Sequence, residues 1–140
     1  MNRPLRVLVA LALLALLTAC GDMGEKRKLD PLEKMLTAYS AAIRWSEFDK
    51  AVAFVDPKVR ADRPLTDLER ERYKLIQVTS YEVKRKGLTA EGKFEQVVEI
   101  RLISKNTMRE RMITDHQLWT YDETTKQFWL TSGLPDFTAQ

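Results

Sequence analysis

The chain has little cysteine or histidine to work with: Cys20 and His116 are the only ones in 140 residues. A lone cysteine closes no intrachain disulfide, and a lone histidine excludes a multi-histidine metal site. Glycine is scarce, at five residues. No Gly-rich phosphate loop and no Gly-x-Ser-x-Gly elbow occurs, so neither a phosphate cradle nor that type of serine nucleophile is written in the chain. The longest apolar run is 7–17, and even the stretch 7–19 has only 13 residues, short of the roughly 20 that a spanning helix needs. There is no internal repeat and no low-complexity segment. The fold must stand on its apolar core, and a chain of this size buries roughly 60–70% of its unfolded surface without staples.

What is present begins at the amino terminus. Arg3 and Arg6 precede the apolar run from Val7 to Leu17, and the small residues Thr18 and Ala19 lead into Cys20. That layout is a secretory signal. An ordinary signal with an incidental cysteine is one reading. The run Leu17-Thr18-Ala19-Cys20 resembles the lipobox of bacterial lipoproteins. The resemblance implies cleavage between Ala19 and Cys20, a diacylglycerol on the Cys20 sulfur, and often a further acyl chain, such as palmitate, on its amine. Each buried methylene contributes about 0.8 kcal/mol, so two or three chains hold a protein essentially permanently. The membrane is then the partner, reached through lipid. Gly21 stands directly after the cysteine and Asp22 one place later, which in the enteric sorting scheme implies the outer rather than the inner membrane, facing the periplasm.

Three segments follow from this reading: a signal at 1–19, a lipidated cysteine with a flexible tether at 20–29, and one α+β domain at 30–140. With Cys20 lipidated, no thiol remains for catalysis or metal. Loss of Arg3 and Arg6 takes the basic count from 23 to 21 against 20 acidic residues, leaving +1. That balance argues little for nucleic acid. Lys26, Arg27 and Lys28 in the tether read as a solvated spacer. The alternative is a contact with anionic headgroups, adding about 1 kcal/mol per residue.

Helical signals come first in the domain. Asp30 is placed to cap, Pro31 suits the first helical position, and Glu33 completes a capping-box pattern. Leu32, Leu36, Tyr39 and Ile43 then form one stripe at helical spacing. Ser46 reads as a second cap, ahead of Phe48, Val52 and Val55, with Pro57 as the stop. Thr66 with Glu69 reads as a third cap, opening a short turn to about Tyr73. Strands are expected near 74–86, 93–103, 108–121 and 127–132, joined by short polar loops and therefore antiparallel.

Alternation predicts which residues share a face. Phe94, Val98, Ile100 and Leu102 do on the second strand, Met108, Met112 and Leu118 on the third, Phe128 and Leu130 on the fourth. For these faces to coincide, even positions must oppose even ones. A five-residue loop at 122–126 would set Leu118 opposite Leu130 and Trp119 opposite Trp129. The other face would carry Glu95, Glu99, Arg101, Arg109 and Arg111, which suit cross-strand ion pairs better than a phosphate backbone. It would also carry an aromatic patch of Trp119, Tyr121 and Trp129. Such a patch is either a contact surface, for a partner or a homodimer, or a small cluster covered by Leu134 or Phe137.

The order of helices followed by a bent antiparallel sheet of about four strands is similar to the nuclear transport factor 2-like fold, a cone-shaped α+β domain. The stretch from Tyr39 through Asp49, followed by Ala51 and Ala53, has the look of its first two helices. A cystatin-like sheet wrapped on one helix is the rival. The resemblance implies an interior pocket between helices and sheet. Members include isomerases, cyclases and dehydratases with an acid–base pair there, and others that bind small ligands or only dimerise. In the expected register the interior candidates are Tyr39, Tyr81, Gln96, Thr114 and His116. His116 has the pKa range of a general base, with Tyr39 or Tyr81 as its companion. A hydrogen-bonded structural polar residue is the plainer alternative. No pattern matches the catalytic residues of any enzyme branch, so no catalytic residue, metal or cofactor is assigned. The sequence favours a binding or interaction module, taking a small apolar ligand or an envelope protein, over an enzyme.

Overall fold

A computed structural model describes residues 22–138, with side chains from residue 29 onward. The segment expected to carry the anchor, including Ala19 and Cys20, lies outside the described residues. The order is α1 (Asp22–Arg44), α2 (Phe48–Val52), α3 (Pro57–Asp62), α4 (Asp67–Lys74), β1 (Ile76–Leu88), β2 (Phe94–Ser104), β3 (Glu110–Asp122) and β4 (Gln127–Leu130). The class is α+β, helices first and then one four-stranded antiparallel sheet in the order β1-β2-β3-β4. Among the described residues no helix is long and apolar enough to cross a membrane.

The chain divides into two compact units, Met1–Glu33 and Lys34–Gln140. The first contributes the start of α1. That helix begins at Asp22 rather than at the expected Asp30 cap, so Pro31 sits inside it. The segment read as a flexible tether is helical from Asp22 onward. Pro31 has no N–H to give the ladder. The second unit holds everything described below.

Within it, α1 buries Tyr39 and Ile43, as the stripe predicts, with Ala42 beside them, while Leu36 of the stripe is half-buried. Its end is set by Ser46, which is not the cap of the next helix. Ser46 takes φ 58, its N–H donates to the Ile43 carbonyl (2.9 Å), and the Glu47 N–H donates to the Ala42 carbonyl (2.8 Å). That pair of bonds is a Schellman motif with serine in the left-handed position, where glycine is usual. The Ser46 Oγ accepts the Val78 N–H at 2.9 Å, which ties the helix end to β1 and offsets part of the strain.

Pro57 both stops and starts. Asp56 accepts from the N–H groups of Lys58 and Val59, with Pro57 leading into α3. The sequence reading gave no element there. Thr66 and Glu69 form the expected capping box at the head of α4.

The sheet follows the expected strand positions, but the hairpins have another parity. Phe94 pairs with Trp119, Gln96 with Gln117 and Leu102 with Arg111; Trp119 pairs with Leu130 and Thr120 with Trp129. Even positions therefore oppose odd ones, against expectation. The cause lies in the loops. At 105–108 and 123–126, four residues close each hairpin, and Met108 (φ 54) and Lys126 (φ 57) take the left-handed conformation at the last position. The Met108 N–H reaches the Ser104 carbonyl at 2.7 Å, and the Lys126 N–H reaches the Asp122 carbonyl at 2.8 Å. An even loop length flips every side chain of β3 relative to an odd one.

β1 carries two irregularities, at Thr79 and Lys84. The first moves the inward parity from Ile76 and Val78 to Tyr81, all three buried. The C-terminal segment then folds back. Phe137 is fully buried against Phe48 (ring centroids 4.4 Å) and Tyr73 (5.3 Å), and its carbonyl accepts from Arg111 at 2.8 Å.

The Ser46 junction yields a test. Ser46→Ala keeps the left-handed strain and removes the acceptor for the Val78 N–H, costing about 1–3 kcal/mol. Ser46→Gly loses the same bond but relieves the strain, and should lie about 1 kcal/mol closer to the wild type in urea unfolding. Equal midpoints for the two variants would show that the backbone conformation carries no strain.

Candidate functional site

The parity of β3 decides what lies between helices and sheet. Asp115, Gln117 and Trp119 point inward, and all three are buried. Thr114 and His116 are exposed on the outer face. Of the five expected pocket residues, the structure brings Tyr39, Tyr81 and Gln96 inside and leaves Thr114 and His116 outside. His116 therefore shares no face with Tyr39 or Tyr81, and the expected pairing has no geometry.

The aromatic patch is also redistributed. Trp119 is fully buried and meets Tyr39 edge-on at 5.3 Å. Tyr121 packs on Phe128 at 5.1 Å on the inward side. Trp129 faces outward, half-buried, its indole N–H on the Thr125 hydroxyl at 3.2 Å. The three form no common surface.

Inside, Gln117 organises a closed polar cluster. Its Nε2 donates to the Asp115 carboxylate (2.7 Å) and the Tyr81 hydroxyl (3.0 Å). Its Oε1 accepts from Gln96 Nε2 (2.6 Å) and the Trp119 indole N–H (3.3 Å). Two donors and two acceptor lobes are the whole capacity of an amide, and all four are used. Arg44 lies over the Tyr81 ring, 5.6 Å from its centroid, and donates to the Tyr81 carbonyl at 3.1 Å. The Tyr39 hydroxyl is the one buried side-chain polar atom with no hydrogen-bond partner among the described residues.

The electrostatics follow from burial. Asp115 is pushed up to about 6, chiefly by desolvation and against the opposing bond from Gln117. Burial pushes Tyr81 up to about 12. Tyr39 is raised well above the phenol range by burial first, then by Asp115 and Tyr81. Both phenols stay protonated at neutral pH, and Asp115 is poised to change charge near it. Among the described residues no three His, Cys, Asp or Glu side chains converge as a metal site requires.

A second feature is open. A cavity of about 90 Å³ lies between α2–α4 and the irregular segment 132–136. Val52, Val55, Val59 and Leu134 give it apolar walls, and Arg60 and Arg63 stand with Glu69 and Asp136 around it. The sequence reading missed it, because its walls come from short helices and an irregular tail that carry no periodic signal. Asp115 and Gln117 were missed for a different reason: β3 has apolar and polar residues on both faces, so alternation does not single out the inward one.

No protein-family model, curated protein or solved structure matches the chain.

Asp115 makes stability depend on pH. Its folded pKa lies above its unfolded value, so the native state binds more protons between them. The stabilisation from this group is fully present below about pH 4 and is lost as pH rises through about 6, a contribution on the order of 2–3 kcal/mol. Asp115→Asn should remove that slope and match or exceed the wild type in urea unfolding at pH 7.5; a variant that keeps the slope would move its origin elsewhere. Tyr39→Phe should leave stability unchanged or raise it by about 1 kcal/mol, since no hydrogen bond to the protein is lost. A loss above about 2 kcal/mol in the same assay would show that the hydroxyl is bonded in solution.

Proposed function

We propose that the chain is a bacterial envelope lipoprotein, held in the membrane by lipid on Cys20 and facing the periplasm, whose folded domain binds another molecule rather than transforming one. The observation that carries the anchor is the run Leu17-Thr18-Ala19-Cys20 behind an apolar segment and two arginines. The outer membrane is favoured because Gly21, not an aspartate, follows the cysteine.

The binding reading rests on where space and chemistry lie. Asp115, Tyr81, Gln96 and Trp119 all bond Gln117, and His116 stands on the opposite face, so an acid–base pair of His116 with either tyrosine has no support from the geometry. The open cavity beside α3 is lined by apolar and charged side chains together, which is the composition of a recognition site.

A domain of nuclear transport factor 2-like type is the finer reading of the fold. It is supported by helices preceding an antiparallel sheet whose first strand is bent by two irregularities. Among the described residues no strand precedes β1, since α3 occupies the region after Pro57. A cystatin-like arrangement is the less fitting rival, because α1, α2 and α4 all contribute buried side chains.

Labelling cells with a palmitate analogue tests the anchor. The wild-type chain should take up label and fractionate with membranes. Cys20→Ala should take up none and remain at precursor mass. Normal processing and membrane association of that variant would overturn the lipoprotein reading.

A further inference from the structure

The outer face of the sheet carries an ordered charge pattern. Arg101, Met112, Thr114 and His116 are exposed on it. The strand pairings sort the face into four rows, each crossing β1, β2 and β3. Arg85, Val97 and His116 form the first. Glu82, Glu99 and Thr114 form the second, with the bulged Lys84 bonding both carboxylates at 2.8 Å. Ser80, Arg101 and Met112 form the third, and Gln77, Ile103 and Glu110 the fourth. With His116 neutral, the net charges of the rows run positive, negative, positive, negative, one unit each. Every charge is counted, paired or not, so bonds within a row leave the pattern intact. Arg101 acts on Glu82 in the neighbouring row but forms no ion pair with any described residue.

The pattern inverts about its own centre, which is the inward-facing row of Tyr81, Ile100 and Ile113. A two-fold axis lying across the strands at that row, between two sheets packed face to face, lays the second row on the third row of another copy and the first on its fourth. Each stacking sets opposite net charges together. On β2, Glu99 then faces Arg101 of the other copy, and Val97 faces Ile103. Further out, the row of Glu95 and Leu118 comes over the 105–108 turn, whose one charge is Lys105. An axis along the strands would instead lay every row on its own kind, like charge on like. A patch that matches itself under one two-fold and no other is what a closed dimer requires. A partner of different sequence gives no reason for the inversion.

We propose that the domain forms a two-fold dimer through the outer face of its sheet, in the register that stacks the Glu99 row on the Arg101 row of a second copy. Three strands at the usual rise and spacing cover about 35 Å by 14 Å, or about 1,000 Å² in all when both copies are counted, the lower bound for a specific interface. The dimer is therefore weak and reversible. It goes beyond the binding reading and does not depend on it, since the cavity beside α3 belongs to the other side of the sheet.

The test is sedimentation equilibrium of the full-length protein in excess density-matched detergent. The wild type should show a reversible monomer–dimer equilibrium. Glu99→Arg and Arg101→Glu each set like charges together twice, and each should weaken the dimer about tenfold or more. Mixed in equal amounts, the two variants make both contacts complementary again, and the mixture should return to within about threefold of the wild type. Arg101→Gln removes the charge without adding another and should cost about threefold. Unchanged circular dichroism shows that each variant keeps the fold. A wild type that stays monomeric at about 100 μM, a dimer indifferent to both reversals, or a mixture no tighter than its components would each overturn the proposal. Palmitate labelling reads the anchor separately, so failure of the dimer and failure of the anchor are distinguishable.

Discussion

The interior of this domain turns on one amide. Gln117 is buried, and each of its two donors and two acceptor lobes has a partner drawn from a different side chain: Asp115, Tyr81, Gln96 and Trp119. A buried amide left half-satisfied would cost about 1–3 kcal/mol for each missing bond. A fully satisfied one fixes the relative positions of all its partners. β1, β2 and β3 each supply at least one member, so the cluster locks the register of three strands at once. Trp119 in turn meets Tyr39 of α1 at 5.3 Å, which carries the constraint from the sheet to the helix.

This arrangement exists only because the hairpins have even loops. Had the loop at 105–108 held five residues, Trp119 would have faced solvent and Leu118 the core. The alternation of β3 did not decide the matter. One face reads Met112, Thr114, His116 and Leu118; the other reads Ile113, Asp115, Gln117 and Trp119. Each has apolar and polar members, and a count of hydrophobic residues favours neither. The deciding elements are left-handed residues at Met108 and Lys126, residue types that carry no such signal. Strand positions, the capping box at Thr66 and the buried stripe of α1 were legible because each rests on local chemistry. The inward position of Tyr81 was legible as well, although a bulge at Thr79, unseen in the sequence, is what produces it.

The same division explains the site. Tyr39 and Gln96 could be placed from elements whose parity is set locally, and Tyr81 lies inward only through the bulge at Thr79. Thr114 and His116 could not, since their face depends on a turn. The groove beside α3 was invisible to periodicity altogether, because α2 and α3 are one to two turns long and the opposite wall is an irregular tail. Its position is fixed by Phe137, which clamps that tail between Phe48 and Tyr73. A cavity walled partly by a docked C-terminal segment is thus held in shape by the packing of a residue outside it.

The pairing of Val55 with Leu130 has a wider consequence. The Asp56 N–H bonds the Leu130 carbonyl at 3.0 Å, and the Leu130 N–H bonds the Phe54 carbonyl at 2.9 Å. The short last strand thus spends part of its free edge on the segment after α2. At the other border, β1 is interrupted twice and carries Lys84, Arg85 and Lys86 in succession. A four-stranded open sheet would otherwise present two templates for strand addition, the commonest route to edge-to-edge aggregation. Here both borders of the sheet discourage an encounter between two copies from becoming a fibre.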